Sequence, residues 1–397
     1  MSQLLESRWS ETKEALLEGL QGNKRTVMAT TLENTRKYLA ESATAGATSA
    51  GNVATLNRVI LPVIRRVMPT VIANELVGVQ PMTGPIGQIH TLRVRYADAF
   101  TSSATGSYGQ GTDVVAGEEA LSPFKIAAGY SGSAATDKAS STASLEGVAG
   151  NKMSIQILKQ TVEAKTRKLS ARWTFEAAQD AQAQQGIDVE AEIMAALAQE
   201  ITAEIDQEVI TSLMVLAGTA ALTYDQAAVS GTATFVGDEH AALAVQINRV
   251  ANLIAQRTRR GAGNYCVVSP TVLTLLQSAT TSAFARTTEG TFEAPTNTKF
   301  VGTLNSAMKV YVNGYAVSDD VLVGYKGSSE SDAPAFYCPY IPLMSSGVVL
   351  DPSTFEPVVS FMTRYGYVEL TNTASSLGNA ADYLGKVAVT SANLRFA

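Results

Sequence analysis

Reactive side chains are scarce in this sequence, and their scarcity excludes much of catalysis. Two histidines, His90 and His240, stand in 397 residues. A histidine-rich metal site is excluded, and a Ser-His-Asp triad has only these two bases, neither within a recognisable motif. Both read as ordinary surface or interface residues. The two cysteines, Cys266 and Cys338, have no metal-type spacing, make no disulfide framework and fit a reducing compartment. Charged residues supply 17% of the chain, below the usual quarter or so of a soluble protein. So little charge suggests surface hidden against copies of the chain or a partner. The net charge of -6 lacks the basic excess of a general nucleic-acid binder, yet allows a protein that lies near nucleic acid without gripping it. No apolar run reaches the ~18 residues of a membrane span. Glu6, Arg8, Glu11 and Lys13 interrupt the apolar N-terminus, which is unlike a secretion signal.

What is present is patterned for structure. Residues 1–41 carry Leu4, Leu5, Trp9, Leu16, Leu17 and Leu20 at steps that predict a helical face. SATAGATSAGN, 42–52, reads as a small-residue linker. Val59, Ile60, Val63, Ile64, Val67, Val71 and Ile72 predict a second helical stretch over 55–79, kinked at Pro62 and Pro69. Then comes GVQPMTGPIG, with two prolines and three glycines in ten residues, a stiff corner. Residues 88–96 predict a strand with Arg93 and Arg95 on one face and Leu92, Val94 and Tyr96 on the other. From 101 to 150, 32 of 50 residues are Gly, Ala, Ser or Thr. Such side chains bury too little to build a core, so this tract reads as disordered or as a loop held against something else. Beyond it, Leu169, Ala171, Trp173 and Phe175 alternate with Lys168, Ser170 and Arg172, as in a half-buried strand.

A long helix is expected over 189–217. Asp188 caps it, Glu190 and Glu192 occupy its first turn, and Ile193, Leu197, Ile201, Ile205, Val209 and Leu213 form its stripe. Gly218 stops it. The second half reads as mixed α/β. It has a helix over 240–257, a strand at 264–268, a helix opened by Ser269-Pro270, and strands at 309–312, 321–325, 348–350 and 358–367.

Short motifs carry little. Gly106 to Gly111 lacks the ending of a phosphate loop, and Ser122-Pro-Phe-Lys125 lacks the companions of a Ser-x-x-Lys enzyme. Asp319, Asp320, Glu330 and Asp332 have the wrong spacing for a calcium loop. Arg257, Arg259 and Arg260 could touch phosphate, but equally suit a helix end or a subunit contact. No catalytic, cofactor-binding or metal residue is assigned, and no cofactor is expected.

Longer stretches are more specific. RRVMPTVIANELVGVQPMTGPIGQI at 65–89, VEAKTRKLSARWTFEAAQDAQAQQGIDVEAEI at 162–193, RTRRGAGNYCVVSP at 257–270, KVYVNGYAVSDDVLVGYKG at 309–327 and DPSTFEPVVSFMTRYGY at 351–367 occur in order. The chain resembles the major capsid proteins of tailed bacteriophages, in the T-even-like myovirus branch. That resemblance implies an α+β Hong Kong 97-type capsid fold with an N-terminal arm, an extended β-hairpin loop, a peripheral domain with a long spine helix, and an axial domain. The implied parts are an N-terminal helical segment at 1–41, an arm at 42–86 and an extended loop at 87–176. A peripheral domain at 177–239 follows, with an axial domain at 240–340 and C-terminal strands at 341–397 completing the peripheral domain. The T-even proteins carry an inserted domain in the loop region, for which the tract here is too short. Family members are trimmed by a prohead protease after Leu/Ile-x-Glu, which fits Leu39-Ala40-Glu41 before Ser42, and also Leu16-Leu17-Glu18.

The implied function is self-assembly into hexamers, with pentamers as an option, of an icosahedral head around double-stranded DNA. Scaffold, prohead protease, portal and decoration proteins are candidate partners, and the site of action is the virion and, during assembly, the host cytoplasm. Arg65, Arg66, Arg93, Arg95, Lys165, Arg167, Lys168 and Arg172 are candidates for intersubunit salt bridges, against the alternative of solvated faces. Rival readings are an encapsulin-like compartment, a pentamer-only vertex protein, and a hydrolase using His90 or His240.

Overall fold

The computed structural model describes residues 9, 13–14, 17, 22–45, 72–101, 113–118, 120, 129–133, 138–185, 188–229, 236–258, 260–279, 284–286, 299–305, 307–330, 332–354, 356–370 and 380–390. Its chain forms two compact units, each assembled from three separate stretches of sequence.

The first unit comprises Met1–Gly87, Thr161–Ser212 and Ala335–Val368. Its N-terminal helix α1, Gly22–Ala45, buries Val27, Met28 and Leu32 and lies on the long strand Ala335–Ser345. Asn34 pins it there by donating from Nδ2 to the carbonyls of Met82 at 2.7 Å and Tyr340 at 3.0 Å. Lys24 pairs with Glu75 at 3.0 Å. The helix continues through residues 42–45, so the expected linker begins no earlier than 46; alanine and threonine permit helix as readily as coil once the preceding turns are docked. Residues 46–71, including most of the expected kinked helix, lie outside the described residues; in the described part of that stretch, α2 spans Ala73–Leu76.

The stiff corner is in fact the start of a sheet. Strand β1, Gly78–Val79, runs parallel to Ala335–Ser345, and the Gln80 and Met82 amides continue that ladder onto the carbonyls of Tyr337 and Pro339. Pro81 falls where the alternating ladder needs no N–H from the chain. Pro85 then supplies its carbonyl to the Ala164 amide at 2.9 Å.

Two strands follow in sequence, β2 at Ile86–Tyr96 and, beyond the short helix α3 at Thr142–Leu145, β3 at Met153–Glu163. Among the described residues they pair only with each other, as a two-stranded hairpin. The alternating run at 168–175 is not the strand that pairs with β2. The alternating run is a separate strand, β4 at Lys165–Arg172, which pairs antiparallel with the strand Pro357–Glu369, Leu169 opposite Phe361. Trp173 and Phe175 leave that strand, since Phe175 opens helix α4, Phe175–Gln185.

The spine helix is α5, Val189–Leu216. Asp188 accepts the Glu190 amide at 3.1 Å, as its capping role requires. Leu197, Ile201, Ile205 and Val209 are buried along one stripe. Gly218, at φ +67°, ends the helix in the left-handed region that suits glycine.

The second unit comprises Gln88–Gln160, Leu213–Pro334 and Glu369–Ala397. Along the chain lie β5 (Leu222–Tyr224), α6 (Gln226–Val229), α7 (Val236–Thr258), β6 (Tyr265–Val268), α8 (Pro270–Ser278), β7 (Phe284–Arg286), β8 (Lys299–Leu304), β9 (Met308–Val312) and β10 (Val321–Gly324). Then come β11 (Ala335–Ser345), β12 (Val349–Leu350) and β13 (Pro357–Glu369) of the first unit's sheet, and finally β14 (Leu384–Val389). The second unit's sheet has the order β5-β14-β10-β6-β9-β8-β7. Helices α7 and α8 cover it through Leu243, Ile247, Val250, Ile254, Val272 and Leu276. Ser269 caps α8 by accepting the Val272 amide, as its sequence predicts.

The C-terminal stretch expected to complete one domain is divided. Strands β12 and β13 join the first unit's sheet, whereas β14 pairs with β10 and β5 in the other. The small-residue tract also differs from expectation, because it builds a small core. Phe100, Val114, Ala120 and Tyr130 gather with Tyr96, the rings of Tyr96 and Tyr130 meeting edge-on at 4.7 Å. Tyr130 donates its hydroxyl proton to the Lys152 carbonyl at 2.6 Å, and Asn151 donates back to the Tyr130 carbonyl at 2.7 Å. A few aromatics suffice here because each buries far more area than the small residues around it.

Candidate functional site

The groups best suited to chemistry are buried in packing roles. His240 is interior, where a surface or interface residue was expected. Its Nδ1 meets Ser278 Oγ at 2.5 Å, and burial lowers its pKa against a smaller upward pull from Glu239. A neighbouring pair, Gln226 and Glu239, is buried and joined at 2.7 Å, with the Tyr224 hydroxyl donating to the Glu239 carbonyl. His90 lies exposed on β2. Burial pushes the thiols of both Cys266 and Cys338 up to about 12, which keeps them protonated and inert. Among the described residues no group of three or more His, Cys, Asp or Glu could hold a metal ion, and no helix is long and apolar enough to cross a membrane.

The described basic residues named from the sequence differ in their surroundings. Arg65 and Arg66 lie outside the described residues, as does the side chain of Arg93. Arg95 is half-buried on β2, and its Nε has no hydrogen-bond partner among the described residues. Arg167 is engaged within its own chain. Nε donates to the Tyr365 hydroxyl at 2.6 Å, Nη1 to Glu204 at 2.6 Å and Nη2 to Glu208 at 2.5 Å, while Tyr365 donates to Glu208 as well. This fork ties β4 and β13 to the spine helix α5. Burial alone would raise the Glu208 carboxyl, but the bonds from Arg167 and Tyr365 outweigh it, and the net shift is downward. Lys165 adds to that pull, Lys168 is exposed, and Arg172, also exposed, reaches Glu356 at 3.6 Å. Glu41 and Ser42 sit inside the last turns of α1. The cluster Arg260, Asp332, Tyr325 and Tyr383 is likewise intramolecular, with Arg260 and Asp332 at 2.7 Å and the two rings stacked.

The feature that sequence reasoning missed is apolar. Met153, Ile155 and Ile157 are 54, 69 and 66% exposed on β3. Residues two apart share a strand face, so these three make a stripe on the order of 13 Å long. Ile86, at the start of β2, is exposed as well. The signal was present as Met-Ser-Ile-Gln-Ile, a strict alternation overlooked beside the longer pattern that follows it. A two-stranded ribbon exposing β-branched side chains is marginal alone in water. Cover stabilises such a ribbon, and large contiguous apolar patches are sites of contact with protein, membrane or ligand.

Cys266, Cys338 and His240 are packed in the interior, Arg167 braces its own chain, and Met153, Ile155 and Ile157 form an exposed apolar stripe, the features of a structural protein among the described residues. The comparisons with known proteins identify the family. The chain belongs to the family described as Major capsid protein Gp23, matched over residues 53–389. It is 32% identical to the "Major capsid protein" of Vibrio phage KVP40, over 84% of this chain and 80% of that one. It is also 32% identical to the "Major capsid protein" of Enterobacteria phage T4, over 83% of this chain and 78% of the other. Among solved structures, "The capsid of Myoviridae Phage XM1" is similar at a TM-score of 0.43 and 10% identity, covering 80% of this chain and 91% of that one.

Proposed function

We propose that copies of this chain self-assemble into the hexamers of an icosahedral phage head that encloses double-stranded DNA. Pentamers of the same chain would close the vertices. The observation that carries this reading is the exposed apolar face of the β2–β3 hairpin in a member of a capsid family. Burying one such side chain contributes about 1.5–3 kcal/mol. The stripe alone therefore offers a useful fraction of a subunit contact, and a closed lattice repeats that contact many times.

In this reading the fold is Hong Kong 97-type. The hairpin and the cluster around Tyr130 form the extended loop, α5 is the spine, and the segment ahead of the hairpin is the arm. The first unit corresponds to the peripheral domain, and the sheet with α7 and α8 to the axial domain. The match to the Vibrio phage relative runs over 416 aligned positions, more than the 397 residues of this chain, so that relative carries residues this chain lacks. That difference supports a reduced insertion here. Lys168 and Arg172 remain candidates for intersubunit pairs because their side chains are exposed, and Arg65, Arg66, Arg93 and Arg95 remain candidates with them.

A prohead protease acting after Glu41 would have to unwind the end of α1 first. Scaffold, portal and decoration proteins are further partners of this assembly. The net charge of -6 suits a container that confines DNA without adhering to it. Electron microscopy of the chain expressed alone and with candidate scaffold proteins tests the reading. Hexameric rings or closed shells are the expected product, and their absence under every condition would refute it.

A further inference from the structure

The spine helix carries three acids within about one turn, and the fold treats them differently. Glu204 and Glu208 lie on the side that meets Arg167. Asp206, two residues from each, projects to the opposite side of the helix. It is 3% exposed, and it accepts the backbone N–H of Ile72 at 2.8 Å. Ile72 is the residue from which α2 starts, ahead of β1. The ionisable groups around this pair include Tyr337 on β11, which feels the Asp206 charge, its sequence neighbour Cys338, the set Glu208, Arg167 and Tyr365 beyond it, and, on α2 itself, Glu75 paired with Lys24. Among the described residues no lysine or arginine pairs with Asp206. Burial is the dominant influence on its carboxyl, the Ile72 N–H opposes it, and the balance lies at about 7.

We infer that Asp206 and the Ile72 amide form a proton-controlled latch that fastens the α2 segment to the spine helix. With its proton, Asp206 sits in this site as a neutral acceptor. Without it, a carboxylate is held away from water by one backbone N–H and no cation, and opening relieves that cost. An opened Asp206 in water returns to the ordinary carboxylate range near 4. The closed state therefore holds fully below about 4. It loses ground as pH rises, by about tenfold per unit, and levels off above about 7. At neutral pH the latch stands near its weakest. That the segment it frees is the assembly arm rests on the proposed function; the latch itself does not.

Amide hydrogen exchange on the full-length, unassembled chain tests this directly. Protection of the amides from Ile72 to Leu76 is followed from pH 5 to 8, after correction for intrinsic exchange. The wild type should lose about tenfold in protection per pH unit between 5 and 7 and then plateau. Asp206→Asn should give a flat profile, and His240→Gln should keep the wild-type step. A flat wild-type profile, a step that survives in Asp206→Asn, or a step that vanishes in His240→Gln would each overturn the latch. The wild-type profile decides even if Asp206→Asn fails to fold. Because the assay reads single chains, failure of the assembly reading would leave its outcome unaffected.

Discussion

Replacing Arg167 separates internal bracing from subunit contact. Arg167→Met keeps most of the aliphatic stem and removes the guanidinium that now bonds Tyr365, Glu204 and Glu208. Hydrogen bonds to charged groups contribute about 1.5–3 kcal/mol each when well shielded. The side chain is 32% exposed and Glu204 45%, so the Glu204 bond counts as a surface pair at about 0–1 kcal/mol. Partial exposure also discounts the bonds to Tyr365 and Glu208, and the expected total is about 2–3 kcal/mol. Arg167→Lys keeps one charge but cannot reach three acceptors, and should lose about half as much.

Urea unfolding of the unassembled chain measures both variants. The wild-type advantage should shrink as pH falls, because the lowered Glu208 carboxyl gives stability above its ordinary value that is lost as pH drops through the depressed one. A loss below about 0.5 kcal/mol would refute the bracing argument. So would an assembly defect with unchanged monomer stability, since that result would make Arg167 an intersubunit residue after all.

Three more outcomes follow from the packing. A Cβ on Gly366 would lie 2.4 Å from Val162 Cγ1, so Gly366→Ala should cost about 1–3 kcal/mol in urea unfolding, and Val162→Ala should restore part of it. Both cysteines should resist a thiol reagent at pH 8 in the folded chain and react at once in denaturant, because burial holds each thiol up at about 12. Ile155→Ser with Ile157→Ser should leave the unfolding midpoint of the single chain nearly unchanged, since both side chains are already exposed, while reducing assembled particles at least tenfold; normal assembly of the double variant would remove the hairpin from the interface.

The elements legible in the sequence are those whose signal is local. The spine helix announced itself through Asp188, its stripe and Gly218, and α8 through Ser269-Pro270. Strand β11 was missed because Ala335–Ser345 is buried on both faces and holds two prolines, which conceal the alternation of a strand. Strand β14 was not read as a strand, and its pairing partners come from distant sequence, here Val321–Gly324 and Leu222–Tyr224. The core around Tyr130 escaped notice because composition averaged its few aromatics away among the small residues. Arg167 was among the candidates for intersubunit salt bridges, and only the fold could show that its partners Glu204 and Glu208 lie on its own chain. Asp206 gave no signal, since an acid within an apolar helical face looks the same in sequence whether it reaches water or a backbone amide.

The central claim is that this chain is a self-assembling shell subunit. Sedimentation velocity on the purified chain, across a range of concentrations and with scaffold protein added, tests it most directly. The account predicts particles of hexamer size or larger, reached by the chain alone or once scaffold is present. A chain that stays monomeric at every concentration, with those factors supplied, would contradict it.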